Sequence, residues 1–265
     1  MTSDGRESTA LRRSCMEAFR AYVSRYDVSD ERIALKVKHT FEVAALADGI
    51  ARGEGLPARD VDLAWLCGLL HDIGRFEQLR RWSTFDDRAS CSHAMLGLRI
   101  LDKELPSFTE DGVWAHIVRR AVAYHSDLRL PADLTERERR FCVITRDADK
   151  VDILRVYSES SCHAVLDIDP SAFACGEISD AALAGFSELR CLARDERPAS
   201  LDGLVGGVCL AFEIESPSAL RALARCGYLQ RLLDRPFGLA PAFDNPETQR
   251  RWDAIRAAMA AWLLG

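Results

Sequence analysis

The stretch Arg59-Asp60-Val61-Asp62-Leu63-Ala64-Trp65-Leu66-Cys67-Gly68-Leu69-Leu70-His71-Asp72-Ile73-Gly74 decides the fold. Its apolar residues, Val61, Leu63, Ala64, Trp65, Leu66, Cys67, Leu69 and Leu70, fall on nearly every side of a helical period. A helix that is apolar all round has neighbours on all sides, so it belongs in the middle of a bundle. Pro57 before it and Gly74 after it read as start and stop signals, which predicts a helix from Arg59 to Asp72.

Outward from this helix, apolar residues recur at three- and four-residue intervals, and alternating runs of Val, Ile and Thr are nearly absent. The expected class is therefore all-α. Helices are expected near Ala10 to Tyr26, Asp30 to Arg52, Ser92 to Glu104, Asp111 to His125 and Thr135 to Cys162. Ser29 and Asp30 supply an N-cap for the one beginning at Asp30, and Gly53 and Gly55 close it. Beyond Asp169-Pro170 the pattern loosens, then resumes near Asp180 to Arg194, Leu201 to Glu215, Ser216 to Leu233 and Thr248 to Leu264. Internal repeats and low-complexity segments are absent from the sequence.

The chain has 265 residues and a mass of 29.5 kDa, with 48% hydrophobic and 29% charged residues. That is enough apolar content for a sizeable core and excludes a disordered tail or a disulfide-stapled miniprotein. Net charge is −6, pI is near 5.6, and the 35 basic residues are scattered, so a nucleic-acid duplex meets net repulsion. A local basic pocket for a small phosphate ester is compatible with that balance, because a site's field need not share the sign of the whole. Nine cysteines, odd in number and never in a Cys-x-x-Cys pair, point to reduced core residues rather than a disulfide framework or a thiolate zinc site. Residues Met1 to Cys15 lack an apolar signal core, and no run reaches about 18 uninterrupted apolar residues. A soluble, cytoplasmic protein with no membrane partner is expected.

His71-Asp72-Ile73-Gly74 sets two strong metal ligands side by side where the most buried helix runs out. An ionised Asp against a bundle core is costly unless a partner compensates it, and a divalent cation is such a partner. Taken alone, the pair also fits a helix terminus at which His71 caps carbonyls and Asp72 turns to solvent. Of the six histidines, His39, His71, His93 and His125 lie in separate expected helices or at their ends. His39 has Leu35 and Val43 one turn to either side, so its imidazole is expected to point inward. Asp147-Ala148-Asp149-Lys150 adds carboxylates within a helix, of which only one can face a shared site. Periodicity does not choose between them, and an exposed acidic-basic turn is the other reading.

The ordered set His39, His71-Asp72, His93, His125 and Asp149 resembles the HD-domain superfamily of metal-dependent phosphohydrolases. The similarity runs from about Ile33 to Tyr157, a little under half the chain. The stretches His71-Asp72-Ile73-Gly74-Arg75-Phe76, Ser92-His93-Ala94-Met95-Leu96-Gly97 and Arg146-Asp147-Ala148-Asp149-Lys150-Val151-Asp152 look like those of stand-alone bacterial members. The resemblance implies an all-α HD-domain helical bundle with additional C-terminal helices. The corresponding division is an N-terminal helix over 1–28, the metal-binding domain over 29–165, and helices over 166–265 that complete or cover the bundle.

It further implies that His39, His71, Asp72 and Asp149 bind one divalent metal, with the Asp before the basic residue, Asp149, chosen over Asp147. His93 and His125 match subfamilies that hold a second metal, with Asp72 bridging. Imidazole and carboxylate ligands suit manganese, iron, cobalt, nickel and magnesium alike. The implied reaction is hydrolysis of a small phosphomonoester or phosphodiester, a nucleotide foremost, by metal-bound hydroxide. Asp72 is expected to be catalytic. Arg75 is expected to act in catalysis and, with Lys150, in gripping a phosphate oxygen. The bland readings are Arg75 paired with Glu77 or Asp87, and Lys150 solvated. Asp152 either orients a ligand or neutralises Arg155.

After His125 the chain reads Ser126-Asp127-Leu128-Arg129-Leu130-Pro131, without the Gly-Tyr-Pro segment of the cyclic-dinucleotide phosphodiesterases of this superfamily. His116 and His163 lack partners in the motif, and Cys91, two residues from His93, reads as a packed thiol. Residues Leu201 to Gly207 are glycine-rich but lack the Lys-Ser/Thr of a phosphate loop. Trp65, Trp82, Trp114, Trp252 and Trp262 read as core or interhelical contacts. Two other functions share the same ligands: a di-iron oxygenase, and a non-catalytic module that senses a nucleotide or phosphate. The complete ligand set favours the hydrolase over the sensor.

Overall fold

A computed structural model of the chain describes residues 3–239 and 243–263, and among these every regular element is helical. Two compact units emerge: Met1–Asp149 with Ser216–Ser218, and Lys150–Glu215 with Ala219–Gly265.

The first unit contains α1 (Ser3–Val23), α2 (Glu31–Gly53), α3 (Ala58–Leu70), α4 (Ile73–Trp82), α5 (His93–Glu104), α6 (Gly112–Tyr124) and the beginning of α7 (Glu136–Glu159). As its all-round apolarity requires, α3 is central: every residue from Val61 to Leu70 is buried, and the helix packs on α1, α2 and α6. That burial includes Asp62, whose carboxylate is compensated by Ser8 Oγ at 2.8 Å and Arg12 Nε at 2.7 Å. Arg12 also reaches Asp48 at 2.5 Å and so ties α1 to both α2 and α3.

At Gly68 a Cβ would lie 2.9 Å from Ala44 Cα and 3.0 Å from the Val43 carbonyl oxygen, so α2 and α3 touch backbone to backbone. This contact falls one turn after His39 and one turn before His71. Asp30 is the N-cap of α2, its carboxylate accepting from Arg32 N at 2.8 Å, and Gly55 turns left-handed beyond the other end. Asp111 caps α6 and Ser92 caps α5. At the start of α7, Thr135 and Glu138 form a capping box: Glu138 Oε2 accepts from Thr135 N at 2.8 Å while Glu138 N donates to Thr135 Oγ1 at 3.3 Å.

The stop expected at Gly74 is corrected. His71 and Asp72 make a two-residue corner, and the chain re-enters a helix, α4, at Ile73. Ile73, Phe76 and Leu79 supply its buried stripe, which the charges of Arg75, Glu77, Arg80 and Arg81 obscure in sequence. Gly74 serves a close approach instead: a Cβ there would lie 2.1 Å from the His93 carbonyl oxygen and 2.7 Å from Gly97 N, so α4 and α5 meet through it. Ser83, in left-handed conformation, ends α4.

The second unit carries the rest of α7, then α8 (Cys162–Leu166), α9 (Pro170–Ala174), α10 (Asp180–Ser187), α11 (Asp202–Cys209), α12 (Pro217–Cys226), α13 (Tyr228–Asp234) and α14 (Pro246–Trp262). Three expected helices are shorter than their apolar patterns. The one from Asp180 ends at Ser187, with Leu189 left-handed just beyond; the one from Leu201 tightens to 3₁₀ over Leu210–Glu213; the one from Ser216 breaks at left-handed Gly227. Leu264, the expected end of the last helix, lies outside the described residues. Residues 201–207 enter α11, not a phosphate loop, and Asp202 at its start accepts from Ser179 N at 2.8 Å and Ala199 N at 2.7 Å. Phe173 lies edge-on to Phe237 and tilted against Phe243, and Phe243 lies edge-on to the fully buried Trp252.

Trp65 and Trp114 are buried as expected, but Trp82, on the last turn of α4, is 39% exposed. All nine cysteines are free, and Cys15, Cys67, Cys142, Cys162, Cys191 and Cys209 are buried. Burial pushes the Cys142 thiol up to about 12, which keeps it protonated and unreactive. Among the described residues no helix is long and apolar enough to cross a membrane.

Candidate metal centre

Each of the four motif histidines reaches the centre from a different element. His39 comes from mid-α2, His71 from the corner after α3, His93 from the first turn of α5 and His125 from the end of α6. Their side chains are 0–1% exposed. Asp72 follows His71 in the corner, and Asp149 projects from α7. All six expected ligands are thus brought together.

The ring orientations follow from hydrogen bonds at Nδ1. His71 Nδ1 faces the Gly68 carbonyl at 2.7 Å, and His125 Nδ1 faces the Val122 carbonyl at 2.9 Å. A carbonyl oxygen only accepts, so each Nδ1 carries the proton and each Nε2 of a neutral ring presents a lone pair. His93 Nδ1 likewise donates to Asp87, 2.8 Å from Oδ2. His93 Nε2 and His125 Nε2 then stand 2.9 Å apart, and His71 Nε2 stands 3.2 Å from His39 Nε2. Burial above all, with help from Arg75, pulls the His93 pKa down to about 3, so its ring is neutral at physiological pH. Two facing lone pairs in a dry site repel unless a cation lies between them or against both. The donor set therefore fits a divalent metal.

Asp72 stands between the two histidine pairs. Its Oδ2 is 3.6 Å from both His39 Nε2 and His71 Nε2, and its Oδ1 is 3.5 Å from His93 Nε2 and 3.4 Å from His125 Nε2. Asp149 Oδ1 joins the first pair only, 3.1 Å from His39 Nε2 and 3.6 Å from His71 Nε2. Two ligand groups with the spacing of metal sites share this carboxylate: His39, His71 and Asp72, and Asp72, His93 and His125. Burial pushes the Asp72 carboxyl up, but the cations beside it, Lys36 first and then Arg75, pull the other way, and the pKa lies well below the usual range. Asp149 is held low in the same way, by His39 and His71 against its burial. Both are anions, as metal ligation requires.

Two cations contact Asp72. Lys36, one turn before His39 on α2, places Nζ 2.5 Å from Oδ2, and Arg75 places Nε 3.5 Å from Oδ1, where that buried N–H has no hydrogen-bond acceptor. The Phe85 ring lies against both, 5.4 Å from Lys36 Nζ and 5.7 Å from Arg75 Cζ. Arg75 Nη1 donates to the Phe85 carbonyl at 2.6 Å, to Gln78 Oε1 at 2.8 Å and to Asp87 at 3.1 Å. Fully buried Gln78 donates from Nε2 to Asp87 at 2.9 Å, Ser90 Oγ at 2.8 Å and the Cys91 carbonyl at 3.0 Å. Arg75 and Gln78 thus latch the loop that carries Asp87, and Asp87 in turn orients His93. Of the two partners weighed for Arg75, Asp87 is the one found; Glu77 is taken by Arg80 and Arg81.

Asp147 is buried rather than part of an exposed turn, and its Oδ2 accepts from Ser216 N at 2.8 Å, which leaves Asp149 to face the histidines. In the second unit, Lys150 Nζ donates to the Glu213 carbonyl at 2.5 Å, and Asp152 makes a two-point pair with Arg155 at 2.6 and 2.9 Å. His116 pairs with Glu138 at 2.7 Å and exposed His163 lies 3.8 Å from Asp167, both away from the ligand groups. Sequence reasoning missed Lys36 and Gln78 and gave Asp87 no role toward His93. Lys36 carried a signal, its one-turn spacing from His39; Asp87 and Gln78 carried none, because their partners are set by the loop.

Residues 37–154 match the family model of the HD domain, the fold of a superfamily of metal-dependent hydrolases. Comparison of the chain with curated proteins and with solved structures found no match.

Proposed function

We propose, from the match of residues 37–154 to the HD-domain family model, that this chain is a phosphohydrolase that uses two divalent cations to cleave a small phosphomonoester or phosphodiester, a nucleotide foremost. The observation that carries this reading is Asp72, buried between two histidine pairs with one carboxylate oxygen turned to each. His39, His71, Asp72 and Asp149 would hold one cation, and Asp72, His93 and His125 the other. Bound there, divalent cations supply Lewis acidity, acidifying water and neutralising phosphoryl oxygens that Asp72 and Asp149 alone would repel.

The chain's own residues do the rest. The histidine side chains are sealed at 0–1% exposure, whereas Lys36 and Arg75 are 15% and 16% exposed, so an entering phosphate meets these two cations first. We assign phosphate contact to Lys36 and Arg75 rather than to Lys150, whose amine the Glu213 carbonyl occupies. Arg75 offers its unpaired Nε–H, and Phe85 holds both cations in place. The Asp87 carboxylate keeps the proton of His93 on Nδ1, so Nε2 remains a ligand.

The test is phosphate release from a panel of nucleotides and generic phosphate esters, scanned over divalent metals, with Asp72→Ala beside the wild type. Metal-dependent release that disappears in the variant supports the reading. Silence across the panel, with cations demonstrably bound to the wild type, overturns it and makes oxygen uptake with iron the next assay.

A further inference from the structure

Arg80 and Arg81 on α4, Arg99 and Lys103 one turn apart on α5, and Arg25 just beyond α1 line one cleft of about 500 Å³. Only two carboxylates share it, and both are already engaged. Glu77 accepts from Arg80 at 2.7 Å and from Arg81, and Glu104 accepts from Arg25 at 2.6 Å. Arg99 and Lys103 have no ion-pair or hydrogen-bond partner among the described residues.

In a chain of net charge −6, this is a local excess of the opposite sign. Like charges one turn apart on a helix repel, and cations arranged around a concavity focus their field into it. An arrangement that costs stability and leaves two cations unmatched is explained by an anion that fills the cleft. The volume falls in the range of small-molecule sites, about 300–1,000 Å³, and is several times what a single phosphate needs. Neither a histidine nor any ligand of the metal centre lines it.

We propose that this cleft is a second anion site, for a small polyphosphate-bearing molecule such as a nucleoside triphosphate, with Arg99 and Lys103 as its principal contacts. The proposal rests on the cleft alone and not on the reaction at the metal centre. Its position gives the ligand a regulatory route. Tyr22, which lines the cleft, donates its hydroxyl to the Ile73 carbonyl at 3.0 Å, directly after Asp72, and the α5 wall begins at His93.

The experiment is calorimetric titration of inorganic triphosphate into the full chain at low and at physiological salt. Three proteins are compared: wild type, Asp72→Asn, which disables capture of phosphate through bound cations, and the double variant Arg99→Glu with Lys103→Glu. Both reversed residues are exposed, and circular dichroism checks that each variant is folded. If Asp72→Asn does not fold, chelator-stripped wild type takes its place. The expected result is one triphosphate per chain in Asp72→Asn, weaker at higher salt, with affinity at least about tenfold lower in the double reversal. No binding to the Asp72→Asn chain, or equal affinity in the double reversal, overturns the proposal.

Discussion

Asp72 has 4% of its side chain exposed and meets four imidazole nitrogens at 3.4–3.6 Å. Because one carboxylate serves both histidine pairs, Asp72→Ala is expected to lower bound manganese at both positions, not one. Elemental analysis of purified protein reads this out, and near-native helicity by circular dichroism separates it from unfolding. Asp87 acts on one of the ligands through a direct hydrogen bond, its carboxylate accepting from His93 Nδ1 at 2.8 Å. Asp87→Ala is expected to weaken the cation held by His93 and His125 about 10–100-fold while the one held by His39, His71 and Asp149 stays bound. Manganese titration of the variant would then show one tight site and one weak site; loss of both together would count against this division.

At the scale of elements, two glycines separate packing from propensity. Gly74→Ala drives a methyl to 2.1 Å from the His93 carbonyl oxygen, so α4 and α5 must separate. A loss of about 3 kcal/mol in urea unfolding is expected, together with weaker manganese binding, because that contact sets His93 beside Asp72. Gly49 lies in α2 with open space where its Cβ would go, so Gly49→Ala is expected to stabilise the chain by up to about 1 kcal/mol and leave manganese binding unchanged.

The capping box at the start of α7 supplies a pH dependence. Hydrogen bonds from the Thr135 hydroxyl and backbone, then His116 and Arg120, hold the Glu138 carboxyl at about 2, below its usual 4.5. A carboxyl held lower in the folded state than in the unfolded chain stabilises above the unfolded value, and that contribution is lost as pH falls from about 4.5 through 2. Glu138→Gln should therefore flatten this part of the acid-unfolding curve; an unchanged curve would show that the cap contributes nothing there.

For the molecule as a whole, a cation that binds only the folded centre stabilises it by mass action, about 3 kcal/mol at a hundredfold excess over Kd. In a chain of this length that raises Tm on the order of 5 °C. Calorimetric scans with and without manganese should show this shift in wild type and lose it in Asp72→Ala. A shift of equal size in the variant would place the stabilising cation elsewhere.

The all-α class and the central burial of Val61 to Leu70 were legible in the sequence for a local reason, whereas the set of candidate metal ligands came from the resemblance to the HD-domain superfamily. Helical periodicity records which faces are covered, and the order of His and Asp along separate helices is what carries the resemblance. What resisted reading was set by contacts between distant residues. Gly74 looks like a helix stop until the backbone of α5 is seen against it, and α4 hides its stripe behind four charges. Asp149 and Asp147 are equivalent by periodicity; in the fold the buried Ser216 N–H, 69 residues away, donates to Asp147, and Asp149 faces the histidines. Lys36, Asp87 and Gln78 likewise gain their roles from partners that the fold delivers. The sequence by itself determined the all-α class and the central apolar helix; tertiary structure decided where several helices stop and the direction of each polar side chain, because hydrogen-bond geometry exists only between elements already packed.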